Sequence, residues 1–342
     1  MVKNLSAIVF LLVFFCVGCG GPAGEKTLAK YREKKLLMGT YIQVDVCYEV
    51  SQEPALAKSY ARVWALMEHV NADMNVYNDK SDVARVNRSF RDPVPVGADT
   101  YGVIESSLKF NLLTGGAFDI TVRPLIVLWK KAADNQRLPS ADEIAGARRA
   151  IGPAQIRLGP DHRVELLHPQ SSIDLGGIAA GYAIDEAAKI LREEGFQSFY
   201  IDIGGDIYAG GRNCEGRPWR IGIRDPRFPS RFAGIVEIEN AAITTSGNYE
   251  KYYEVNGQRW SHIINPVTGF PQKGVVSSTV IAPTALENDA LSTALCVLPP
   301  REGLDLIKSL GDRYACLIFA MPGDALQTYQ SDSFPVFRAR EK

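Results

Sequence analysis

Asp289 and Thr293 stand four residues apart in the segment Glu287-Asn288-Asp289-Ala290-Leu291-Ser292-Thr293-Ala294. The segment reads as helix, and residues four apart share a helical face. A carboxylate beside a hydroxyl offers hard oxygen ligands, the kind Mg²⁺ takes together with water and substrate phosphate. The same pattern also suits a plain helix N-terminus, where an aspartate opposes the macrodipole. A second segment, Ser171–Asp185, reads SSIDLGGIAAGYAID. It predicts a short strand over Ser172–Leu175, a break at Gly176-Gly177 and a small-residue helix from about Ile178. Such a turn bares backbone N–H groups that favour anions and leaves carbonyl oxygens for a hard cation. Asp174 adds a carboxylate at the same point. A glycine pair also serves plain tight turns, so the pattern alone leaves ligand site and packing turn both open.

His262 lies where a strand runs into the turn Asn265-Pro266. Its unperturbed pKa near working pH suits a general base, and a hydrogen-bonded structural role is the other reading. His69, His162 and His168 read as structural. Gly115-Gly116-Ala117-Phe118-Asp119 joins a glycine turn, which lets backbone approach a ligand, to an aromatic ring and a carboxylate. No GxSxG elbow and no catalytic Cys–His signature is present, so nothing points to a covalent nucleophile.

These segments need elements to hold them. Leu36–Val46 alternates as a strand, and Ala55–Met74 and Thr100–Leu113 have helical spacing. Ser140 and Glu143 have capping-box spacing at a further helix start. Strands are expected over Arg163–Leu167, Ser198–Ile203, Trp219–Arg224, Ile235–Glu239, Ala242–Thr245, Val275–Ile281 and Tyr314–Ala320. Asn256-Gly257 between Tyr252–Val255 and Arg259–Ile264 is a strong hairpin signal. Helices are expected over Ala285–Val297 and Arg301–Leu310. Helices interspersed with hairpins argue for a mixed α+β fold with a largely antiparallel sheet.

The chain has 342 residues, 46% of them hydrophobic, which is ample for a large core. A well-mixed net charge of −1 gives no reason to expect a nucleic-acid partner. Of six cysteines none forms a CxxC pair in the globular part, which argues against a zinc site. Cys47, Cys214, Cys296 and Cys316 can pair in an oxidising compartment or lie buried as small apolar groups; both readings stand. Lys3 precedes an apolar run, Leu5–Val17, too short for a stable membrane span. It ends in Cys16-Val17-Gly18-Cys19, which is similar to a bacterial lipoprotein signal; an ordinary secretory signal cleaved nearby is the other reading. The expectation is a signal peptide over 1–18, a lipidated Cys19 anchored to a membrane, a polar linker over 19–35, and one domain over 36–342.

Met38-Gly39-Thr40, GAFDITV, IDLGGIAAGYAID, SHIINPVTG and NDALSTAL occur together and in this order. Together they resemble the ApbE family, the FAD:protein FMN transferases, over roughly Leu36 to Phe337. The resemblance implies a single compact T-fold-related domain. It implies Mg²⁺-dependent transfer of the FMN part of FAD to a Thr or Ser hydroxyl of a target flavoprotein, with release of AMP. Targets of the implied kind are subunits of sodium-pumping NADH:quinone reductase and Rnf-type complexes, met at the periplasmic or extracytoplasmic face. It implies Asp289, Thr293 and the main-chain carbonyl of Gly177 as metal ligands, with Ser292 contributing backbone. It implies Met38, Tyr77, Ala117, Phe118, Asp119, Asp174 and Ile263 around FAD, and His262 as the base. Ala180 stands where the family commonly has a lysine contacting flavin or phosphate, and Asn288 where it usually has alanine. Two alternatives share the site: an FAD pyrophosphatase giving free FMN and AMP, and a non-catalytic lipid-anchored flavin-binding protein.

Overall fold

Alternating polar and apolar residues draw Ala29–Leu37 and Thr40–Tyr48 into an antiparallel hairpin. Its two-residue turn, Met38-Gly39, has φ of 55° and 74°. Positive φ at both positions gives the turn whose twist matches that of paired strands. This computed structural model describes residues 28–248, 251–323 and 325–335. The hairpin begins an eight-stranded sheet, which continues through Ser198–Ile203, Asp206–Gly210, Ala241–Gly247, Val275–Ala282, Ala315–Ala320 and Gln327–Gln330. Neighbours in the sheet follow chain order, and each pairing is antiparallel. The α+β class with a mostly antiparallel sheet is therefore the observed one.

The two faces of the sheet bury different layers. On one face Ile42, Val44 and Val46 pack with Phe199 and Ile201 against the helices Glu53–Met74 and Ala179–Glu193. The helix Ala285–Val297 lies on the same side, over Ala241–Gly247 and Val275–Ala282. On the other face Ile207, Ala209, Ile243 and Leu317 meet Trp219, Ile221 and Val236 of the hairpin Trp219–Asp225/Phe228–Ile238. A disulfide joins Cys47 to Cys214, pinning the chain just before that hairpin to the sheet across 167 residues of sequence. Cys296 and Cys316 are free and buried. Of the two roles open to the four cysteines, each is taken by one pair.

Several boundaries differ from expectation. The expected linker over 19–35 overlaps the first strand, because Tyr31, Glu33 and Lys35 alternate inward. The expected strand Leu36–Val46 is cut by the Met38-Gly39 turn. Ser172–Leu175 forms no strand. Its partner is a side chain: the Asn87 amide accepts from Ile173 N–H at 2.7 Å and donates to the Ile173 carbonyl at 2.8 Å. Asn87 ends a short helix, Asp82–Asn87, that the polar sequence conceals and that Ser81 caps by accepting from Ala84 N–H. The capping box at Ser140 and Glu143 is formed. The signal segment, Cys19 and Phe337 lie outside the described residues. No helix among the described residues is long and apolar enough to cross a membrane.

Cross-linking so long a loop restricts the unfolded chain, and loss of such a bridge typically costs about 2–5 kcal/mol. Reduction, or Cys47→Ser with Cys214→Ser, is expected to lower the urea midpoint accordingly. An unchanged midpoint would refute a stabilising role.

Candidate active site

The site is built where two helices meet backbone to backbone. A methyl group on Gly181 would overlap the carbonyl oxygen of Ala285 and lie 2.7 Å from Leu286 Cα, so only glycine permits this approach. The contact is locked from both sides. Asp185, one turn further along the first helix, accepts from Ala285 N–H at 2.8 Å and Leu286 N–H at 2.9 Å, satisfying donors that a helix start leaves orphaned. In return Gly181 N–H donates to Asp289 Oδ2 at 3.3 Å. Gly181 is the third residue of its helix, so its N–H is one of the donors a helix start leaves orphaned, and Asp289 takes it; the Gly177 carbonyl lies ahead of the first helical residue, outside the helix's own ladder.

The expected row of bare N–H groups at this helix start is mostly used internally. Gly176 N–H donates to Asp174 Oδ1, and Ile178 and Ala179 N–H donate to the Leu175 carbonyl. The turn therefore offers carbonyl oxygen more than anion-binding N–H. Gly177 lies against Thr293 and Phe118: a Cβ there would be 3.6 Å from Thr293 Oγ1 and 3.5 Å from a Phe118 ring carbon. The turn, Thr293, Asp289 and Phe118 are thus brought together. Ala180 occupies the first helical turn, partly buried.

Beneath Asp289 the sheet contributes a polar seam. Ser292 Oγ and Ser246 Oγ are 2.8 Å apart, Ser292 Oγ donates to the Asp289 carbonyl, and Ser278 Oγ donates to the Ser292 carbonyl at 2.5 Å. Ser292 is thereby committed to seating its helix on the sheet, so its hydroxyl and carbonyl are occupied rather than offered to a metal. Asp206, at the start of Asp206–Gly210, is the neighbour of Asp289. Burial holds the Asp289 carboxyl well above the usual range, and the charge of Asp206 adds to the effect. Burial likewise raises Asp206, and the Asp202 carboxylate pushes the same way, against pulls from Thr244 and Lys251. Two carboxyls that resist ionising side by side are poised for a counter-charge. Asn288 is fully buried, and neither its amide oxygen nor its nitrogen has a hydrogen-bond partner among the described residues. A hard cation with its waters suits this oxygen-rich set of two carboxylates, a hydroxyl and a carbonyl, so the residues fit Mg²⁺. No cluster of three or more His, Cys, Asp or Glu capable of holding a metal occurs among the described residues.

An outer wall flanks this centre. Asp174 pairs with Arg123 at 3.6 Å, and its N–H donates to the Ile120 carbonyl. The Arg123 guanidinium lies 5.8 Å from the ring centroid of Tyr77, which is 75% exposed. The charge of Asp174 and the Tyr77 hydroxyl both bear on Tyr253, whose own hydroxyl is pushed up to about 12, chiefly by burial. Ala117 and Phe118 are buried, and Asn111 Nδ2 holds the Phe118 carbonyl at 2.9 Å. The Asp119 carboxylate accepts from Thr121 N–H and Oγ1 at 2.7 and 2.5 Å. Burial still raises it above the usual carboxylate range. A cavity of about 580 Å³ opens beside Asp119, with Asn111, Arg148, Arg149, Gly152 and Val267 in its walls.

Nδ1 of His262 is 2.9 Å from the Lys251 carbonyl oxygen. A carbonyl only accepts, so Nδ1 carries the proton, and the lone pair of the neutral ring sits on Nε2. Lys251 also acts on Asp206, which ties the histidine strand to the carboxylate pair. Ile263 is buried in an apolar cluster with Val280 and Leu291, so packing occupies its side chain. Met38 caps the first hairpin turn, partly buried, and Thr40 beside it touches the Gly204 turn that leads to Asp206. Sequence analysis singled out neither Arg123 nor Lys251 nor Tyr253. The signal available for Asp206 was its paired glycines at a strand end.

A sequence model described as "ApbE family" matches residues 38–318. A Klebsiella pneumoniae protein named FAD:protein FMN transferase is 33% identical over 341 residues, covering 97% of this chain and 96% of that one. An Escherichia coli protein of the same name is 34% identical over 277 residues, 79% of this chain and 78% of its own. Among solved structures, an ApbE protein from Thermotoga maritima superposes with a TM-score of 0.81 at 31% identity, covering 92% of this chain and all of that one (100%). The flavin transferase ApbE from Vibrio cholerae gives 0.78 at 28% identity, covering 90% and 98%.

Gly181→Ala is expected to push the helices apart and lower stability by about 1–3 kcal/mol, the range for overpacking. Thermal unfolding checks this, and an unshifted midpoint would sink the close-approach argument. Asp185 gives a pH signature. Burial raises its folded pKa to about 6, above the unfolded value, so between those values the native state binds the extra proton. Its contribution to stability therefore grows as pH falls from 7 to 5. Urea unfolding of the native chain and Asp185→Asn at both pH values should show the native chain's relative stability rising at pH 5. A constant difference would contradict the assignment.

Proposed function

The chain belongs to the ApbE family, and we propose that it transfers the FMN moiety of FAD to a threonine or serine hydroxyl of an acceptor protein, releasing AMP. The reading rests on one observation: Gly177 lies against both Thr293 and Phe118, on the helix side that carries the buried Asp289, whose neighbour is Asp206. Asp289, Thr293 and the Gly177 carbonyl would hold Mg²⁺, with Asp206 as the second carboxylate facing it. The ion would neutralise charge on the diphosphate oxygens.

The chain's own groups do the rest. Asp185 and Gly181 hold the two helices so that Asp289 and Thr293 keep their place against the Gly177 turn. Tyr77 offers an exposed ring for stacking the flavin, and Arg123, ion-paired to Asp174, sits beside it. Arg123 is a cation on this wall that would supply what the lysine absent at Ala180 gives. The acceptor oxygen bonds to the FMN phosphorus as the bond from that phosphorus to the bridging oxygen breaks. AMP leaves with the bridging oxygen. Nε2 of His262 takes the acceptor's proton, and the Lys251 carbonyl keeps the ring in the needed tautomer. Acceptors of the implied kind are subunits of NADH:quinone reductase and Rnf-type complexes. We place the protein outside the cytoplasm, anchored through an acylated Cys19; the Cys47–Cys214 disulfide supports an oxidising compartment.

Asp289→Ala should abolish Mg²⁺-dependent transfer while the fold persists. His262→Ala should lower kcat by about 10²–10⁴-fold, the usual worth of a general base, with little change in FAD affinity. Covalent flavin fluorescence on the denatured acceptor reads both. Unchanged turnover in Asp289→Ala defeats the metal assignment, and an effect of His262→Ala confined to binding makes its role positional. Free FMN forming without acceptor, faster than labelling, would favour hydrolysis instead.

A further inference from the structure

The sheet face opposite the carboxylates carries a second opening. The hairpin Trp219–Asp225/Phe228–Ile238 packs on that face and is tied down at one end by Cys47–Cys214. Toward the other end of the strand Thr40–Tyr48 a cleft of about 740 Å³ lies between hairpin and sheet. Its floor is the start of the sheet, including Arg32, Asp45 and Asp202, and its roof includes Arg220 and Arg224. Thr40, Gly204 and Gly205 border it, and the next residue is Asp206. The cleft therefore ends at the turn whose following residue joins the catalytic carboxylates from the opposite face.

Its lining carries more cations than carboxylates. Four cations line it, Lys30, Arg32, Arg220 and Arg224, against two carboxylates, Asp45 and Asp202, and Arg220 also pairs with Glu237 at 3.8 Å. Asp45 is buried and satisfied several times over: Arg32 binds it through two nitrogens at 2.7 and 2.8 Å, and Lys30 reaches it at 2.8 Å. Asp202 is held by Gly205 N–H at 2.8 Å and the Tyr200 hydroxyl at 3.2 Å. Lys34, on the same side of its strand as Lys30 and Arg32, also acts on Asp202. The strand carrying this row, Ala29–Leu37, is the edge of the sheet. Tyr41 and Leu36 are both 70% exposed near the turn end. A strand edge unpaired among the described residues, a row of lysine and arginine and exposed apolar side chains suit an extended acidic polypeptide, paired to the edge by backbone and to the row by charge.

We propose that this cleft and its edge strand dock the acceptor protein, as an acidic extended segment that leads its hydroxyl over the Gly204–Gly205 turn toward Asp206. This rests on the transferase reading and adds to it the partner's binding surface. The test separates docking from chemistry. The probe is a fluorescein-labelled peptide with a central threonine flanked by four aspartates, and its control carries asparagines instead. Fluorescence anisotropy with the full chain should show the acidic peptide binding at least 10-fold tighter than the control, and more weakly as salt rises. Lys34→Glu with Arg220→Glu should weaken it at least 10-fold, while FAD affinity and FAD cleavage without acceptor stay unchanged. Equal binding of the two peptides, or an unaffected double variant, overturns the proposal. So does loss of binding only to vesicles containing anionic lipid, which would make the basic row a membrane contact. A peptide that binds as expected yet is never flavinylated supports docking and counts against the transferase reading alone.

Discussion

The arrangement depends on one contact: the backbone of Gly181 pressed against that of Ala285 and Leu286. Because no side chain separates the helices there, a main-chain N–H of one reaches a carboxylate of the other, and a carboxylate of the first caps the second. Three consequences follow from this single approach. Asp289 is buried yet hydrogen-bonded, the orphan N–H of Gly181 gains a partner, and Thr293 comes to rest against the glycine turn. Burial of an acidic group ordinarily forces it to take up a proton. Asp289 and Asp206 are two such groups, each raised by burial, with the charge of Asp206 adding to the effect on Asp289.

Much of this was legible in the residues. The spacing of Asp289 and Thr293 requires only helical periodicity, and the segment is a helix. The mostly antiparallel α+β class was readable from helices interspersed with hairpins, and the Ser140–Glu143 capping box from two side chains, while the first turn of the sheet, Met38-Gly39, was read as strand. What stayed hidden depends on contacts between distant segments. Nothing local says that the Asn87 amide will stand in for a strand beside Ile173, 86 residues away in sequence. Nothing local says that Arg123 will lie over Tyr77, or that Ser292 will spend its hydroxyl on Ser246. The early strand Ala29–Leu37 was obscured because half its residues are charged, as an exposed edge strand tends to be.

The outer wall differs from the centre in how it is held. Tyr77 and Arg123 meet through side chains at the surface, and Asp174 is fixed by a turn and one ion pair. Rotamers there can shift without moving a helix. The Asp289 centre has no such freedom, since its geometry is set by main chain.

That division has an evolutionary consequence. With the placement of Asp289 and Thr293 written into backbone contact at a glycine, the surrounding side chains are released from the duty of preserving it. Alanine at 180 and asparagine at 288 leave the carboxylate frame as it is. The glycine acts as a fixed point around which sequence is free to drift.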